Sequence, residues 1–175
     1  MVESILVVVV AFSFILFAGF VLSYLIYTNF LQPGPVYYPS KDEVVEKMLD
    51  LGKVKKGVRV LDLGSGDGRI LVAAGRRGAR AVGYEIDPIL VYESRKRIEK
   101  EGLSDLCKVY LKSMWKADFR GVDVVVMYLF PKYMGRFEKI IEEKGRKGLV
   151  VVSNDYQFPG RKYDKKVGKI FVYKF

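Results

Sequence analysis

Ten residues, Val60-Leu-Asp-Leu-Gly-Ser-Gly-Asp-Gly-Arg69, constrain the fold of this chain more than any others. An apolar run reaches Asp62, a glycine-rich turn follows, and a helix is expected to begin near Asp67. Glycines at 64, 66 and 68 let the backbone turn sharply and let a ligand approach it with no Cβ in the way. The free N–H groups of the following helix then face whatever sits there. Such a turn marks a nucleotide-type cofactor site at the carboxyl end of the first strand of a parallel sheet.

The spacing narrows the ligand. A dinucleotide fingerprint reads G-x-G-x-x-G, whereas this loop reads G-x-G-x-G. A carboxylate two residues before the first glycine suits a cationic ligand better than a pyrophosphate. S-adenosylmethionine carries a sulfonium and an ammonium, whose charge Asp62 would offset. A second acid, Glu85, closes Ala79-Arg-Ala-Val-Gly-Tyr-Glu85, where a second strand delivers a carboxylate to ribose hydroxyls. The competing reading is an ordinary strand–turn–helix with a surface glutamate. Together, the two acids and the loop favour a methyl-donor site.

The remaining pattern alternates helix and strand. Ser40-Lys-Asp-Glu43 reads as a capping box opening a helix through Leu51. Strands are expected over Val58–Leu63, Arg80–Glu85, Leu106–Leu111, Val122–Tyr128 and Gly148–Ser153. Helices are expected over Asp67–Arg77, from an Asp87-Pro88 cap to Glu101, and from Pro131 to Lys144. Lys162–Val167 and Lys169–Phe175 read as an antiparallel hairpin closing the sheet edge. The expected fold class is α/β, a doubly wound Rossmann-like, mostly parallel sheet over residues 40–175.

Ahead of that domain, Ser4 to Tyr27 is 24 residues without a charge. That exceeds the roughly 20 residues needed to cross a bilayer. Without a basic leader or a small-x-small cleavage site, it reads as an uncleaved single-span anchor over residues 4–27, with Tyr24, Tyr27 and Phe30 as an interfacial belt. Lys41, Lys47 and a basic domain follow the span, which places that domain on the cytoplasmic side. Residues 28–39, with Gln32-Pro-Gly-Pro35, read as an extended connector that keeps the domain near the membrane.

Composition excludes whole classes of chemistry. The chain contains no histidine, so histidine-based triads and histidine-ligated metals are ruled out. Its single cysteine, Cys107, excludes an internal disulfide and multi-cysteine zinc sites, and reads as a small core residue. No metal is expected. The net charge of +10 implies either an anionic neighbour, such as lipid, nucleic acid or an acidic protein face, or simple solubility. Arg76, Arg77 and Arg80 read as cations near a helix carboxyl end, and Arg95-Lys-Arg97 as a solvated helix face.

These motifs carry a family resemblance. The domain resembles a class I (seven-strand) S-adenosylmethionine-dependent methyltransferase, slightly shortened at its C-terminal end. Tyr38-Pro-Ser-x-x-x-Val-Val-Glu-Lys-Met-Leu49, Leu61-Asp-Leu-Gly-Ser-Gly-Asp-Gly-Arg-Ile70 and Gly83-Tyr-Glu-Ile-Asp-Pro88 are similar to one group within it. That group comprises the small archaeal protein-lysine methyltransferases and the membrane-anchored mitochondrial lysine methyltransferases that modify inner-membrane proteins. The resemblance implies that Gly64, Ser65 and Gly66 line the methionine half of the cofactor, with Asp62 near its amino group. It further implies that Glu85 holds the ribose, Ile86 packs on the adenine, and Ser113 and Met114 read the adenine edge. Many relatives have an acid at the position of Ser113. Tyr128-Leu-Phe-Pro131 stands where nucleic-acid amino methyltransferases carry Asn/Asp-Pro-Pro-Tyr/Phe, which argues against base amines as acceptors.

A methyl acceptor must be a neutral amine held in line at about 3 to 3.5 Å. A tyrosine-lined channel would desolvate a lysine and lower its pKa from about 10.4. Tyr37, Tyr38 and Tyr128 are the candidates for that channel, against a plainer role as part-buried aromatics. Asp123 is a weaker candidate, as a strand-opening turn residue. The expected function is membrane-anchored protein-lysine N-methylation, with a membrane or membrane-proximal protein as partner. RNA or small-molecule methylation, and a non-enzymatic cofactor-binding scaffold, are the alternatives.

Overall fold

The computed structural model describes residues 2–26 and 37–175, which fall into two units, the first helix and everything from Tyr37 onward. The expected connector, Tyr27 and Phe30 lie largely outside the described residues. Helix α1 (Val2–Ile26) is apolar on every side, and its described side chains are almost all exposed. The polar Ser13 hydroxyl donates back to the Val9 carbonyl at 2.9 Å, so it is satisfied inside the helix. Having no polar face, the helix is long and apolar enough over Ile5–Ile26 to cross a bilayer.

The second unit contains α2 (Asp42–Leu51), β1 (Arg59–Leu63), α3 (Arg69–Arg76), β2 (Arg80–Glu85), α4 (Pro88–Lys100) and β3 (Cys107–Leu111). There follow a 3₁₀ turn (Met114–Lys116), β4 (Val124–Met127), α5 (Pro131–Lys144), β5 (Val150–Asn154), β6 (Lys165–Val167) and β7 (Ile170–Lys174). The sheet runs β3-β2-β1-β4-β5-β7-β6. Its first five strands are parallel, and β7 pairs antiparallel with both β5 and β6. This is the expected Rossmann-like sheet with its antiparallel edge.

Alternation along the strands builds two cores. Val60, Ala81, Val109, Val124 and Val126 face α2, α3 and α4. Leu61, Tyr84, Val125, Met127 and Tyr173 face α5 and the segment around Phe119. Burial on both faces is why the central strands read as unbroken apolar runs. Cys107 is buried, donates its thiol to the Leu71 carbonyl, and is pushed up to about 11 by burial, as suits an inert core residue. The second face has less helical cover. A single 3₁₀ turn spans β3 to β4, and residues 155–164 join β5 to β6 without a helix.

Four expectations need correction. Ser40 does not cap α2: Lys41 holds the cap position without a side-chain bond, and the Ser40 carbonyl instead accepts from Arg69 Nη1 at 2.7 Å. Helix α3 starts at Arg69 rather than Asp67, because Gly68 caps it in the left-handed region at φ 78°. Asp123 is remote from the loop: it accepts from the Arg59 amide at 2.8 Å and pairs with Arg146 at the amino edge of the sheet. Arg97 is no idle surface cation, since its Nη2 lies 2.6 Å from Asp67 Oδ2. Two caps stand as read. Asp87 accepts from the amides of Ile89 and Leu90, and Pro131 opens α5.

Candidate functional site

The carboxyl ends of β1, β2 and β4 lie side by side, because Leu63 is in register with both Tyr84 and Met127. The amides of Gly64 and Ser65 both donate to the Tyr84 carbonyl, at 3.0 and 3.1 Å, pinning the loop to β2. Glu85 continues that attachment from a buried position. Its Oε2 accepts from the Gly66 amide at 2.9 Å, and its Oε1 from the amides of Ile86 (2.7 Å) and Asp87 (2.9 Å). One carboxylate therefore sets the shape of the glycine turn and of the turn after β2. Gly83 on β2 has no Cβ for a reason: Ser65 occupies the space where one would be.

Asp62 is 2 % exposed, and its Oδ2 has no hydrogen-bond partner. Burial, then the nearby charges of Glu85 and Asp67, push this carboxyl up to about 8. An unpartnered buried acid calls for a cationic or hydrogen-donating ligand. Ser65 Oγ, also buried, is unpartnered as well. At Gly66, with φ 52°, a Cβ would lie 2.6 Å from the Tyr37 ring, so the cradle accepts only glycine. These features fit S-adenosylmethionine: an acid for its cationic end, a glycine turn for close approach, and Glu85 Oε2 with one acceptor site left for a hydroxyl.

Asp67 stabilises the loop from its far side. Burial alone would raise its pKa, but hydrogen bonds from Arg69 and the charge of Arg97 hold it below the ordinary carboxylate range. Arg69 contacts Asp67 at 2.9–3.0 Å and, through Ser40, ties the segment before α2 to the loop. Arg69→Ala leaves the buried Asp67 with Arg97 alone and is expected to cost about 2 kcal/mol, read as a lower urea midpoint at unchanged m-value.

The tyrosines separate into two places. Tyr37 lies on Gly66, and burial followed by the charge of Asp67 raises its hydroxyl pKa. Tyr38 instead meets Tyr128 edge-to-face at 6.1 Å, and Tyr128 stacks with Tyr156 at 6.3 Å. Phe130 lies 6.5 Å from Tyr156. Asp155, at φ 63°, hydrogen-bonds Tyr128 and pairs with Lys169 at 3.3 Å. Burial and then Asp155 push the Tyr128 phenol up to about 12, so it stays protonated. This aromatic box stands at the ends of β4 and β5, beside the glycine loop, where Leu129 approaches Gly64. Asp155, Tyr156 and Phe130 are absent from the sequence-derived candidates. The available signal was an acid and an aromatic immediately after the fifth strand.

The remaining sequence-derived positions sit on the other side of the loop. Ile86 is half-buried at the turn after β2, Ser113 precedes the 3₁₀ turn, and Met114 is buried against the second core. The Lys112 amide donates to the Glu85 carbonyl at 2.8 Å, joining this edge to the acid. Among the described residues, no group of three or more metal-ligating side chains occurs.

A seven-stranded sheet of this order, with an acid–glycine–acid cradle at its carboxyl edge, defines a class I S-adenosylmethionine-dependent methyltransferase. Residues 62–165 match the model of the ANTKMT methyltransferase domain. The chain belongs to that family. It is similar to a lysine N-methyltransferase of Rattus norvegicus named for an ATP synthase subunit, 34% identical over 83% of this chain and 69% of that protein. It is also similar to a protein-lysine N-methyltransferase of Saccharolobus islandicus (strain REY15A), 31% identical over 73% of this chain and 81% of the relative. The chain spans only 52–69% of the length of the rat enzyme and its human, frog and mouse counterparts. Among solved structures, an RNA methyltransferase from Salinibacter ruber bound to S-adenosyl-L-homocysteine superposes with a TM-score of 0.77. It is 35% identical, over 78% of this chain and 93% of that one.

Proposed function

We propose that this methyltransferase transfers methyl groups to lysine side chains of a protein, held at the membrane by α1 with residues 40–175 on the cytoplasmic side. The observation that carries the acceptor is the aromatic box of Tyr38, Tyr128, Tyr156 and Phe130 beside the glycine loop. The names of the archaeal and rat relatives support the same acceptor class. The uniformly apolar surface of α1 supports the anchor, and a membrane or membrane-proximal protein is the substrate that fits it.

Bound S-adenosylmethionine supplies an already activated methyl group. Asp62, Gly64, Ser65 and Gly66 would hold its methionine half, Glu85 its ribose, and Ile86, Ser113 and Met114 its adenine. The chain must then present an uncharged amine. Aromatic walls strip water from a lysine and lower its pKa. As the new bond forms, positive charge appears on that nitrogen, and the ring faces of Tyr38 and Tyr156 stabilise it. A phenol protonated up to about pH 12 cannot serve as the base. Tyr128 therefore orients the amine, and the proton leaves to Asp155 or to water. Tyr37 shapes the cofactor loop rather than the acceptor channel.

Tyr128→Ala is expected to lower kcat about 10- to 100-fold while the affinity for S-adenosyl-L-homocysteine stays unchanged. A loss of both would move Tyr128 into the cofactor cradle. The RNA reading is favoured by one observation, the name of the Salinibacter ruber structure. Incubating the full chain with radiolabelled donor and either membrane protein or RNA separates the two. Label on protein lysines is the expected result, and label on RNA alone would sink the lysine assignment.

A further inference from the structure

The thin helical cover over the second sheet face leaves a cavity of about 460 Å³. Its floor is Leu61, Val82 and Tyr84, and one wall is Tyr110, whose ring tilts against Tyr84 at 5.8 Å and stays 46 % exposed. Asp118 and Arg120, from the segment before β4, form the opposite wall and pair with each other. The Tyr84 hydroxyl accepts from the Asp118 amide at 3.2 Å, which holds that wall over the sheet.

Three further cations line the cavity: Arg59 and Arg80, the first residues of β1 and β2, lie side by side at one end, and Lys112 follows the carboxyl end of β3 at the other. Neither guanidinium has an ion-pair partner among the described residues, although most arginines in this domain do. Gly121, at φ 70°, leaves the space in which the Arg59 guanidinium lies; a side chain there would displace it. None of Asp62, Gly64, Ser65, Gly66 or Glu85 lines this cavity.

We propose that this cavity is a second ligand site, specific for a nucleoside monophosphate, distinct from the methyl-donor cradle. Its volume falls in the range of small-molecule sites and admits one nucleotide unit. The open face of Tyr110 over an apolar floor takes a planar base. The two unpaired arginine forks, side by side at the amino ends of β1 and β2, take a phosphate, the group for which arginine geometry is suited. An acidic peptide would use the cations but leave the ring face uncovered.

The test uses the full chain in detergent, with saturating S-adenosyl-L-homocysteine to occupy the donor cradle, titrated calorimetrically with adenosine monophosphate. One saturable site with submillimolar affinity is expected. Arg80→Glu or Tyr110→Ala, both at exposed positions, should each weaken that binding at least tenfold and leave S-adenosyl-L-homocysteine affinity and Tm unchanged. Four results would overturn the proposal: no saturable binding, inorganic phosphate binding as tightly as the nucleotide, affinity unaffected by these variants, or oligonucleotide affinity that rises with length.

Discussion

Replacing Glu85 by alanine is expected to weaken S-adenosylmethionine binding at least about 100-fold, close to 2.7 kcal/mol. The expectation follows from what the carboxylate holds before any ligand arrives. Three backbone amides, from Gly66, Ile86 and Asp87, end on its two oxygens. Hydrogen bonds to a charged acceptor contribute about 1.5–3 kcal/mol each, and the buried donors would be left unsatisfied. The glycine turn and the turn after β2 would both relax, taking with them the backbone that faces the cofactor. Glu85→Gln should lose less, about tenfold, since it retains one acceptor but points an NH₂ group at an amide donor. Calorimetry with circular dichroism as a fold control decides the matter. Unchanged affinity in a folded alanine variant would remove Glu85 from the ribose role.

Asp62 gives the second large effect, in the form of pH dependence. Unfolded, its carboxyl ionises near 3.8; folded, it keeps its proton to about 8. Between those values the native state binds the extra proton, so this group favours the fold at low pH. That contribution falls by about 1.4 kcal/mol per pH unit as pH rises towards 8. Asp62→Asn should accordingly unfold at higher urea than the parent at pH 8.5, with the gap narrowing as pH falls and closing only near pH 4. Ligand binding carries the opposite sign. A cation beside Asp62 selects the ionised form, so below pH 8 binding must expel a proton and affinity should rise with pH, levelling off above 8. At pH 7, titrations in buffers of different ionisation enthalpy should report close to one proton released, and none for Asp62→Asn. Equal proton release from both proteins would mean that the cation does not lie at Asp62.

The sheet was legible because its strands are buried on both faces. Val124–Met127 and Leu149–Val152 are apolar runs with no alternation to confuse, and Pro131 marks a helix start by its fixed φ. The cradle was legible because its chemistry is local, an acid and three glycines in seven residues. Ser40 misled for the opposite reason: its carbonyl is taken by Arg69, 29 residues away, a competitor that no local pattern shows. Arg97 reads as surface in any helical projection, yet it reaches a buried acid one layer below. The aromatic box joins Tyr38, Tyr128 and Tyr156 from three separate parts of the chain. Only the parallel register of β1, β4 and β5 brings those parts to one edge.

The fastening of Tyr37 and Ser40 to the glycine loop has a consequence for where the catalytic unit begins. Regular structure starts at Asp42, and the two cores are complete from Val44 onward. A fragment cut at residue 41 would keep every strand and helix of the sheet, and so would pass as a whole domain by shape alone. It would nevertheless lack the ring that packs on Gly66, the carbonyl that anchors Arg69 and one wall of the aromatic box. On the proposed acceptor site, the catalytic piece therefore begins at Tyr37 rather than at Asp42, a difference of a few residues without secondary structure.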